Sequence, residues 1–237
     1  MKNISANNFE ALTTDEYRKK FRDKVIPWWY SGIAHILINS VSTIGTCIYI
    51  STLISNLTWK ESLALPITLL IANLGVYIIH RYPLHRPYPI IHSQTFSIHT
   101  EAHHQFYTNE YVVYEKRDDW FILFFPPLVV LGLVFVYLPI IYHVLPSFLP
   151  MNSVYLVMIG TTLYFILYEI FHYISHLPQD HFLLRIKFLH FIRQHHVHHH
   201  NPKLMYTHNF NIVFPIFDYL FGTVYHPSET SEDATRL

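Results

Sequence analysis

Residues 151–176, MNSVYLVMIGTTLYFILYEIFHYISH, join a long apolar stretch to a pair of histidines. The apolar part, 151–171, contains a single charged residue, Glu169. It is long enough for one helix across a bilayer core, which takes about 20 predominantly apolar residues. His172 and His176 follow at a spacing of four, so a continuing helix presents both imidazoles on one face. The stretch therefore predicts a membrane-spanning helix that ends in two candidate metal ligands.

Further apolar stretches of the same kind lie at residues 26–57, 62–79 and 120–145, and the first of them contains no Asp, Glu, Lys or Arg. The third is interrupted by Pro126 and Pro127, so a re-entrant hairpin is an alternative to a straight span there. Buried helices of a soluble domain are another alternative. However, charged residues are only 14% of the chain, compared with about 25% in soluble domains. The expected fold class is an all-α integral membrane protein with about four transmembrane helices.

Composition and charge narrow the classes of protein to which this chain can belong. Lys plus Arg and Asp plus Glu both number 16, and a net charge of zero excludes a basic nucleic-acid-binding protein. Hydrophobic residues make up 51%, which excludes intrinsic disorder for most of the chain. The single cysteine, Cys47, excludes internal disulfides and a cysteine-rich metal site. We expect a cytosolic N-terminal segment at 1–26, one membrane-embedded domain at 27–223 and a disordered tail at 224–237.

The basic residues predict how the spans are oriented. With four spans, every Lys and Arg except Lys60 falls on one side, and the positive-inside rule makes that side the cytoplasm, together with both termini. Aromatic residues at the predicted span ends fit an interfacial belt. They are Trp28, Trp29, Tyr30, Trp59 and Trp120. Before the first span, Thr14 to Glu16 predict the start of a short amphipathic helix that carries Tyr17 and Phe21 and lies on the membrane surface.

Histidine is the most unusual part of the composition, with 19 residues, more than Lys and Arg together. Ten of them fall into four spaced groups on the predicted cytoplasmic side, at spacings typical of metal ligands. These ten are His80, His85, His99, His103, His104, His172, His176, His196, His199 and His200. A structural zinc ion takes four ligands, so ten histidines predict two metal ions with about five imidazoles each. All-nitrogen ligation suits iron, copper, nickel or zinc and argues against magnesium or calcium.

The spacings within the groups predict which histidines share an ion. Residues four apart share a helix face, so we expect His99 and His103 to bind the same ion. Adjacent residues point about 100° apart, so His103 and His104 face different ions. His80 and His85 are about 140° apart on an ideal helix, and a helix break at Pro83 lets their side chains converge.

The run HHVHHH at 195–200 allows two registers. The preferred ligand set is His196, His199 and His200, and the alternative set is His195, His198 and His199. Taken alone, the run also fits a solvated metal-buffering tract. Other residues are candidates for extra ligands or for acceptors that orient the ligand imidazoles. They are His195, His198, His208, Glu169, Asp118, Asp119 and Asp218. We expect His35 and His143 to be structural or to lie at the membrane interface, and His92 to lie at the surface or beside a ligand.

Four fragments, in this order, resemble the histidine boxes of one superfamily of membrane enzymes. They are HRYPLHR (80–86), HTEAHHQFYT (99–108) followed by RDDWFILFFPP (117–127), FHYISH (171–176), and RQHHVHHH (193–200) followed by NFNIVFPIFDYLFGT (209–223). The superfamily is that of the fatty acid hydroxylases and sterol desaturases, which are membrane non-haem di-iron enzymes. The resemblance covers residues 79–223. The family's fourth box, R-x-H-H-x-x-H-H, matches the preferred register, although His198 stands at a position that the family leaves variable.

The resemblance implies both a fold and an activity. The implied fold is a four-helix membrane unit under a cytosolic helical cap that holds the metals. The implied activity is O2-dependent hydroxylation of an unactivated C–H bond in a fatty acyl, sphingolipid or sterol-like lipid taken from the bilayer. The ten histidines would hold two iron ions, or zinc in the purified protein, and no residue is assigned as a separate acid or base.

The resemblance also implies partners and leaves alternatives open. Only residues 1–25 precede the first predicted span, so a fused cytochrome b5 domain is not expected. Electrons would then come from a separate cytochrome b5-like, ferredoxin-like or reductase protein. One alternative is a desaturase acting on the same lipids, which differs in the mass of its product. Another is a non-enzymatic membrane metal-binding protein. No nucleic-acid partner is expected.

Overall fold

The computed structural model describes residues 12–87 and 95–227. Regular structure within these residues is entirely helical, and four helical stretches are long and apolar enough to cross a membrane. They are Gly32–Ser51, Trp59–Leu84, Pro127–Ser147 and Met151–Ser175, here called spans 1 to 4. The predicted all-α fold with four membrane spans is thereby confirmed. His92, the start of the N-terminal segment and most of the predicted C-terminal tail lie outside the described residues.

Three kinds of helix occur in these two ranges. The α-helices are α1 (Thr14–Lys24), α2 (Gly32–Ser51), α3 (Trp59–Ser62), α4 (Ala64–Ile79), α5 (His104–Phe106), α6 (Trp120–Leu123), α7 (Pro127–Gly132), α8 (Leu138–Val144), α9 (Met151–Ser175), α10 (Lys187–His199) and α11 (Ile216–Leu220). The π-helical segments are His80–Leu84, Ser97–His103 and Leu133–Tyr137, and the 3₁₀ segments are Arg117–Asp119, Leu145–Ser147 and Phe182–Arg185. The π turns are wider because their hydrogen bonds join residue i to residue i+5, and two of them carry histidines.

The central helix is α9, which packs against α2, α4, α8 and α10. Gly160 permits its close approach to α4, because a Cβ atom at this position would lie 3.0 Å from the side chain of Thr68. The outer faces of the spans carry large exposed apolar side chains, such as Val41 and Phe135. A continuous apolar exterior of this kind fits a bilayer as solvent.

Span 3 begins later than the hydropathy predicts. Residues 120–123 form the separate short helix α6, and the backbone at Phe124 is extended. The span starts at Pro127, where the fixed φ and missing N–H of proline suit the first helical turn. From there it continues to Ser147 as one stretch, so the alternative of a re-entrant hairpin is wrong. Trp120 accordingly lies away from the end of the span and packs on Tyr173.

The apolar face of the N-terminal helix α1 packs onto protein. Its N-cap is Thr13, which forms a capping box with Glu16. The apolar side chains Tyr17 and Phe21 are buried in a cluster with residues that include Phe106. The prediction of an amphipathic helix is therefore confirmed, but the apolar face is covered by the chain's own aromatic residues.

A helical cap, formed by α1, α5, α6, α10, α11 and the segments that join them, lies at one end of the four spans. This is the end at which spans 1 and 3 begin and spans 2 and 4 finish. His35 near the start of span 1 and Glu169 near the end of span 4 both bond the backbone of Phe125, just before span 3. His80 in the last turn of span 2 bonds the carbonyl of Phe210. The cap is thus connected to the spans at the level of the histidine boxes.

Candidate metal centre

The ten histidines in the four boxes converge in two groups. Cluster A consists of His80, His85, His99, His104 and His199, and cluster B consists of His103, His172, His176, His196 and His200. Within each cluster, one ring nitrogen from every histidine lies within 4.8 Å of the others. All ten side chains except the partly exposed His99 are at most 5% exposed. No carboxylate belongs to either cluster, so both offer nitrogen ligands alone.

Each cluster draws its histidines from separate parts of the chain. Cluster A takes two from the end of span 2, two from the π segment Ser97–His103 and α5, and one from the end of α10. Cluster B takes one from the same π segment, two from the end of α9 and two from the end of α10. Adjacent histidines are divided between the clusters, as expected from their angle on a helix. This division applies to His103 and His104 and also to His199 and His200.

The expected pairing of His99 with His103 is wrong, since the two belong to different clusters. The reason is the π segment, in which the wide turn brings residue i+5 beneath residue i. His104 replaces His103 as the partner, and its Nε2 atom lies 3.2 Å from that of His99. His80 and His85 are also five residues apart, and the π segment that contains Pro83 brings their rings to 5.0 Å. Their predicted convergence is confirmed.

The spacing of the converging nitrogens matches ligands on a single ion. In cluster A, Nε2 of His80 lies 2.9 Å from Nε2 of His99. In cluster B, Nε2 of His196 lies 3.2 Å from that of His176 and 2.9 Å from that of His200. Imidazole nitrogens bind zinc at about 2.0–2.1 Å, so two such ligands at a right angle stand about 3 Å apart and two opposite ligands about 4.2 Å. Both clusters have these dimensions.

The hydrogen bonds of the Nδ1 atoms, which point away from the clusters, show that the lone pairs of the Nε2 atoms point into them. In six of the ten histidines, Nδ1 bonds a backbone carbonyl, which can only accept a hydrogen. The pairs are His80 with Phe210, His103 with Ile122, His172 with Leu123, His176 with Val112, His199 with His208, and His200 with Tyr107. A neutral imidazole has one N–H group, so a ring that donates from Nδ1 turns the bare lone pair of Nε2 into the cluster.

A metal ion fits the nitrogens that remain without a hydrogen. The buried Nε2 atoms of His103 and His172 have no hydrogen-bond partner among the described residues. An unpaired buried polar atom costs free energy, and a cation that accepts both lone pairs removes this cost. Both atoms belong to cluster B.

The pKa values of the cap histidines suit metal binding. Burial is the largest cause and neighbouring histidines contribute, lowering the pKa of His85 to about 2. Burial likewise lowers the pKa of His103 to about 3. The pKa values of His104 and His196 are also held well below the usual range, first by burial and then by nearby histidines. The imidazoles are therefore neutral at pH 7, which is the form that binds a metal.

The other histidines of the fourth box lie outside both clusters. His195 donates from Nε2 to Asp218 Oδ2 at 3.1 Å, and the ring of His198 packs on Tyr225. The side chain of His208 contacts Thr207 and Tyr225, while its carbonyl accepts from His199. The histidines of the fourth box that belong to the clusters are thus His196, His199 and His200, which is the preferred register.

Three acidic candidates accept hydrogen bonds from backbone N–H groups and from side chains outside the two clusters. Asp119 accepts from Arg22 and from the N–H groups at 115 and 116, and so joins α1 to the cap. Glu169 accepts from the Phe125 N–H, and Asp218 accepts from the N–H groups at 210 and 211. Asp118 is exposed. The carbonyl acceptors were missed in the sequence because every residue type carries one.

An apolar cavity of about 760 Å³ runs between spans 2, 3 and 4. Its walls include Ile71, Gly75 and Val157, and Lys60 lies at the end far from the cap. Phe125 and Tyr168 line the end near the cap. The ring of Tyr168 lies 5.6 Å from the ring of His172, measured between centroids. The end of the cavity near the cap is therefore separated from His172 of cluster B by the ring of Tyr168.

Comparison with protein families finds no matching family, and comparison with curated proteins finds no match. Among solved structures, the chain matches that of full-length Scs7p, in which only the hydroxylase domain is visible. The TM-score is 0.59 and the sequence identity is 18% over 80% of this chain, which corresponds to 66% of the Scs7p chain. This chain therefore has the fold of the Scs7p hydroxylase domain, in agreement with the resemblance of its histidine boxes to the fatty acid hydroxylases.

Proposed function

We propose that this protein is a membrane-bound hydroxylase that uses O2 and two iron ions to oxidise an unactivated C–H bond of a lipid. The observation that carries the proposal is the pair of five-histidine clusters, one of which lies beside Tyr168 at the end of an apolar cavity between the spans. The match to Scs7p supports the fold, and the part of Scs7p that is visible is a hydroxylase domain. When bound, the two ions supply the oxidising chemistry, and the chain supplies the surroundings in which it occurs.

The chain's own residues have three tasks in this proposal. The ten histidines bind the ions, one ion in each cluster. The backbone carbonyls that accept from Nδ1 hold the rings in the tautomer that presents Nε2 to the ion. The packed cap would exclude bulk water from the clusters, since the fully buried Phe210 packs on cluster A and the fully buried Tyr107 packs on cluster B. Exclusion of water protects an oxidising centre from side reactions.

The substrate class follows from the walls of the cavity. Apolar side chains from spans 2, 3 and 4 line it, and these spans face lipid on their outer sides. A fatty acyl, sphingolipid or sterol-like molecule can place a hydrocarbon tail there without loss of hydrogen bonds. Tyr168 and Phe125 would then hold part of the tail close to His172.

The location and partners belong to the same proposal. The distribution of basic residues supports a cap and termini on the cytoplasmic side. Reducing equivalents would then arrive at the cap from a separate cytochrome b5-like, ferredoxin-like or reductase protein. The neutral net charge of the chain fits a lipid substrate and no nucleic-acid partner.

The first test is the metal content of the whole protein, purified in detergent without a histidine-affinity step. We expect about two ions per chain in the unaltered protein and one in a His172→Ala/His176→Ala variant. The control is His143→Ala, because His143 is exposed and belongs to neither cluster. Fewer than two ions in the unaltered protein would contradict the paired centre.

The second test compares the lipids of cells that express the unaltered protein with those of cells that express His172→Ala/His176→Ala. A hydroxylase adds one oxygen to its product, whereas a desaturase removes two hydrogens. Products that differ by one oxygen support the proposal. Loss of two hydrogens replaces it with the desaturase alternative. An unchanged lipid profile with two bound metals supports the non-enzymatic metal-binding alternative.

A further inference from the structure

Two consecutive carbonyls hold histidines of cluster B. Ile122 accepts from Nδ1 of His103 at 3.1 Å, and Leu123 accepts from Nδ1 of His172 at 3.0 Å. Both carbonyls lie at the end of the short helix α6, where the last carbonyls have no partner within the helix. The orientation of the two imidazoles therefore depends on where the end of α6 is placed.

The residue that places this segment is Phe125, whose backbone is bonded on both sides. Its N–H donates to Glu169 Oε1 at 2.7 Å. Its carbonyl accepts from His35 Nε2 at 2.8 Å and from Asn39 Nδ2 at 3.0 Å. Asn39 also donates to Glu169 Oε2 at 3.1 Å, so one amide joins the carboxylate to the carbonyl. Helices α2 and α9 thus hold the same peptide.

Glu169 and His172 are three residues apart on α9, and they contact the same segment two residues apart. Glu169 bonds Phe125 and His172 bonds Leu123. Two contacts from one helix set the register of the segment along α9. A carboxylate buried in a membrane span is costly, and Glu169 bonds none of the ten histidines. Its hydrogen bonds to the segment provide a structural reason for a buried carboxylate at this position.

Cluster A has a corresponding arrangement around Asp218. The carbonyl of Phe210 accepts from Nδ1 of His80 at 2.5 Å. The N–H of Phe210 donates to Asp218 Oδ1 at 2.8 Å, and the N–H of Asn211 donates to Oδ2 at 2.7 Å. Asp218 is fully buried and also accepts from Thr223 and His195. The carboxylate therefore holds the peptide that orients His80.

We propose that Glu169 and Asp218 are positioning residues for different metals, with Glu169 acting on cluster B through residues 122–125 and Asp218 acting on cluster A through Phe210. The inference rests on the proposed function, which places a metal in each cluster. Removal of a residue that orients a metal ligand through one intermediary typically weakens metal binding by about 10–100-fold. Removal of each carboxylate should then weaken the binding of one metal ion and leave the affinity for the other unchanged.

The test is a titration of the metal-free whole protein in detergent with Zn²⁺, which binds imidazole without redox chemistry. The unaltered protein should bind two ions. In Glu169→Leu, one of the two should bind about 10–100-fold more weakly. In Glu169→Gln, the side-chain oxygen can still accept from the Phe125 N–H, whereas the bond from Asn39 is lost, so the weakening should be smaller than in Glu169→Leu. Glu61→Ala is the control, because Glu61 is a partly exposed carboxylate that caps α3 at the end of the spans far from both clusters.

Repeating the titration in a protein that already lacks cluster B shows which cluster each carboxylate acts on. His172→Ala/His176→Ala removes cluster B and leaves a single ion in cluster A. Adding Glu169→Leu to this background should leave the remaining affinity unchanged, whereas adding Asp218→Asn should weaken it. Asparagine has only one side-chain oxygen and cannot accept from both Phe210 and Asn211.

Three outcomes decide the inference. If each variant weakens the binding of one Zn²⁺ ion and leaves the other affinity unchanged, the positioning roles are supported. Equal weakening of both ions by Glu169→Leu, or an unchanged titration with a lower unfolding temperature, overturns it in favour of a role in stability alone. If the unaltered protein binds no metal, the proposed function fails first, which is distinct from a failure of the positioning roles.

Discussion

The Nε2 atoms of His85 and His199 lie 2.9 Å apart, although neither ring has a hydrogen to share there. His199 donates from Nδ1 to the carbonyl of His208. Thr100 donates its hydroxyl to the Leu84 carbonyl at 2.6 Å, so its oxygen accepts from Nδ1 of His85 at 3.1 Å. Two lone pairs therefore face each other in a buried site. A cation between them turns this repulsion into ligation.

The first prediction follows from this pair. A His85→Ala/His199→Ala variant should lose one of two bound metals, because both substitutions remove ligands from cluster A. His208→Ala should keep both metals, since its backbone carbonyl, and not its ring, holds His199. Metal analysis of the purified proteins measures the difference. Loss of a metal in His208→Ala would show that its ring is an extra ligand.

The second prediction concerns acid stability of the metal-free protein. Burial lowers the folded-state pKa of His85 to about 2 and that of His103 to about 3, whereas an unfolded histidine titrates near 6.5. Below pH 6.5 the unfolded chain therefore binds more protons than the folded chain. The free energy of unfolding should be highest above this pH and should decrease from pH 6.5 towards pH 3.

Thermal unfolding of the metal-free protein at a series of pH values between 8 and 4 tests this dependence. A His85→Ala/His103→Ala variant should show a shallower decrease, because two of the groups that take up protons on unfolding are absent. An equal slope in both proteins would mean that other groups control acid stability.

The third prediction uses two glycines that both face open space. Gly75 lines the apolar cavity and Gly45 does not, and a Cβ at either position meets nothing within 4 Å. Gly75→Leu should fill part of the cavity and lower product formation from long-chain lipids at least 10-fold, as expected for a misplaced substrate. Gly45→Leu should leave product formation unchanged. Both variants should retain two metals, which separates substrate placement from metal loss.

The fourth prediction tests the place of α1. Phe21 is fully buried against the cap, whereas Phe182 is 65% exposed. Phe21→Ala should lower the free energy of unfolding by about 3–5 kcal/mol, the usual cost of deleting a buried phenylalanine side chain. Phe182→Ala should change it by less than about 0.5 kcal/mol. Chemical unfolding followed by tryptophan fluorescence measures both, and equal effects would place α1 outside the cap core.

Hydropathy and spacing predict much of this protein because they are local properties. Span 4 follows from the apolar run before His172, and the division of His103 from His104 follows from the angle between adjacent residues on a helix. The start of span 3 was placed too early because hydropathy does not register the extended backbone at Phe124. The pairing of His99 with His104 was missed because spacing rules assume α-helical turns, and this segment is a π-helix.

The four spans, the ten histidines and their nitrogen-only chemistry are predictable from the amino-acid sequence, because these features depend on residue type and short spacing. The membership of each five-histidine cluster, and the groups that orient its imidazoles, follow from the packing of segments that are distant in the chain. The carbonyls of Ile122, Leu123 and Phe210 become acceptors only when distant segments pack together. Glu169 and Asp218 likewise show what they hold only in the folded chain. Backbone groups are identical in every residue, so their roles are set by packing and leave no mark in the sequence.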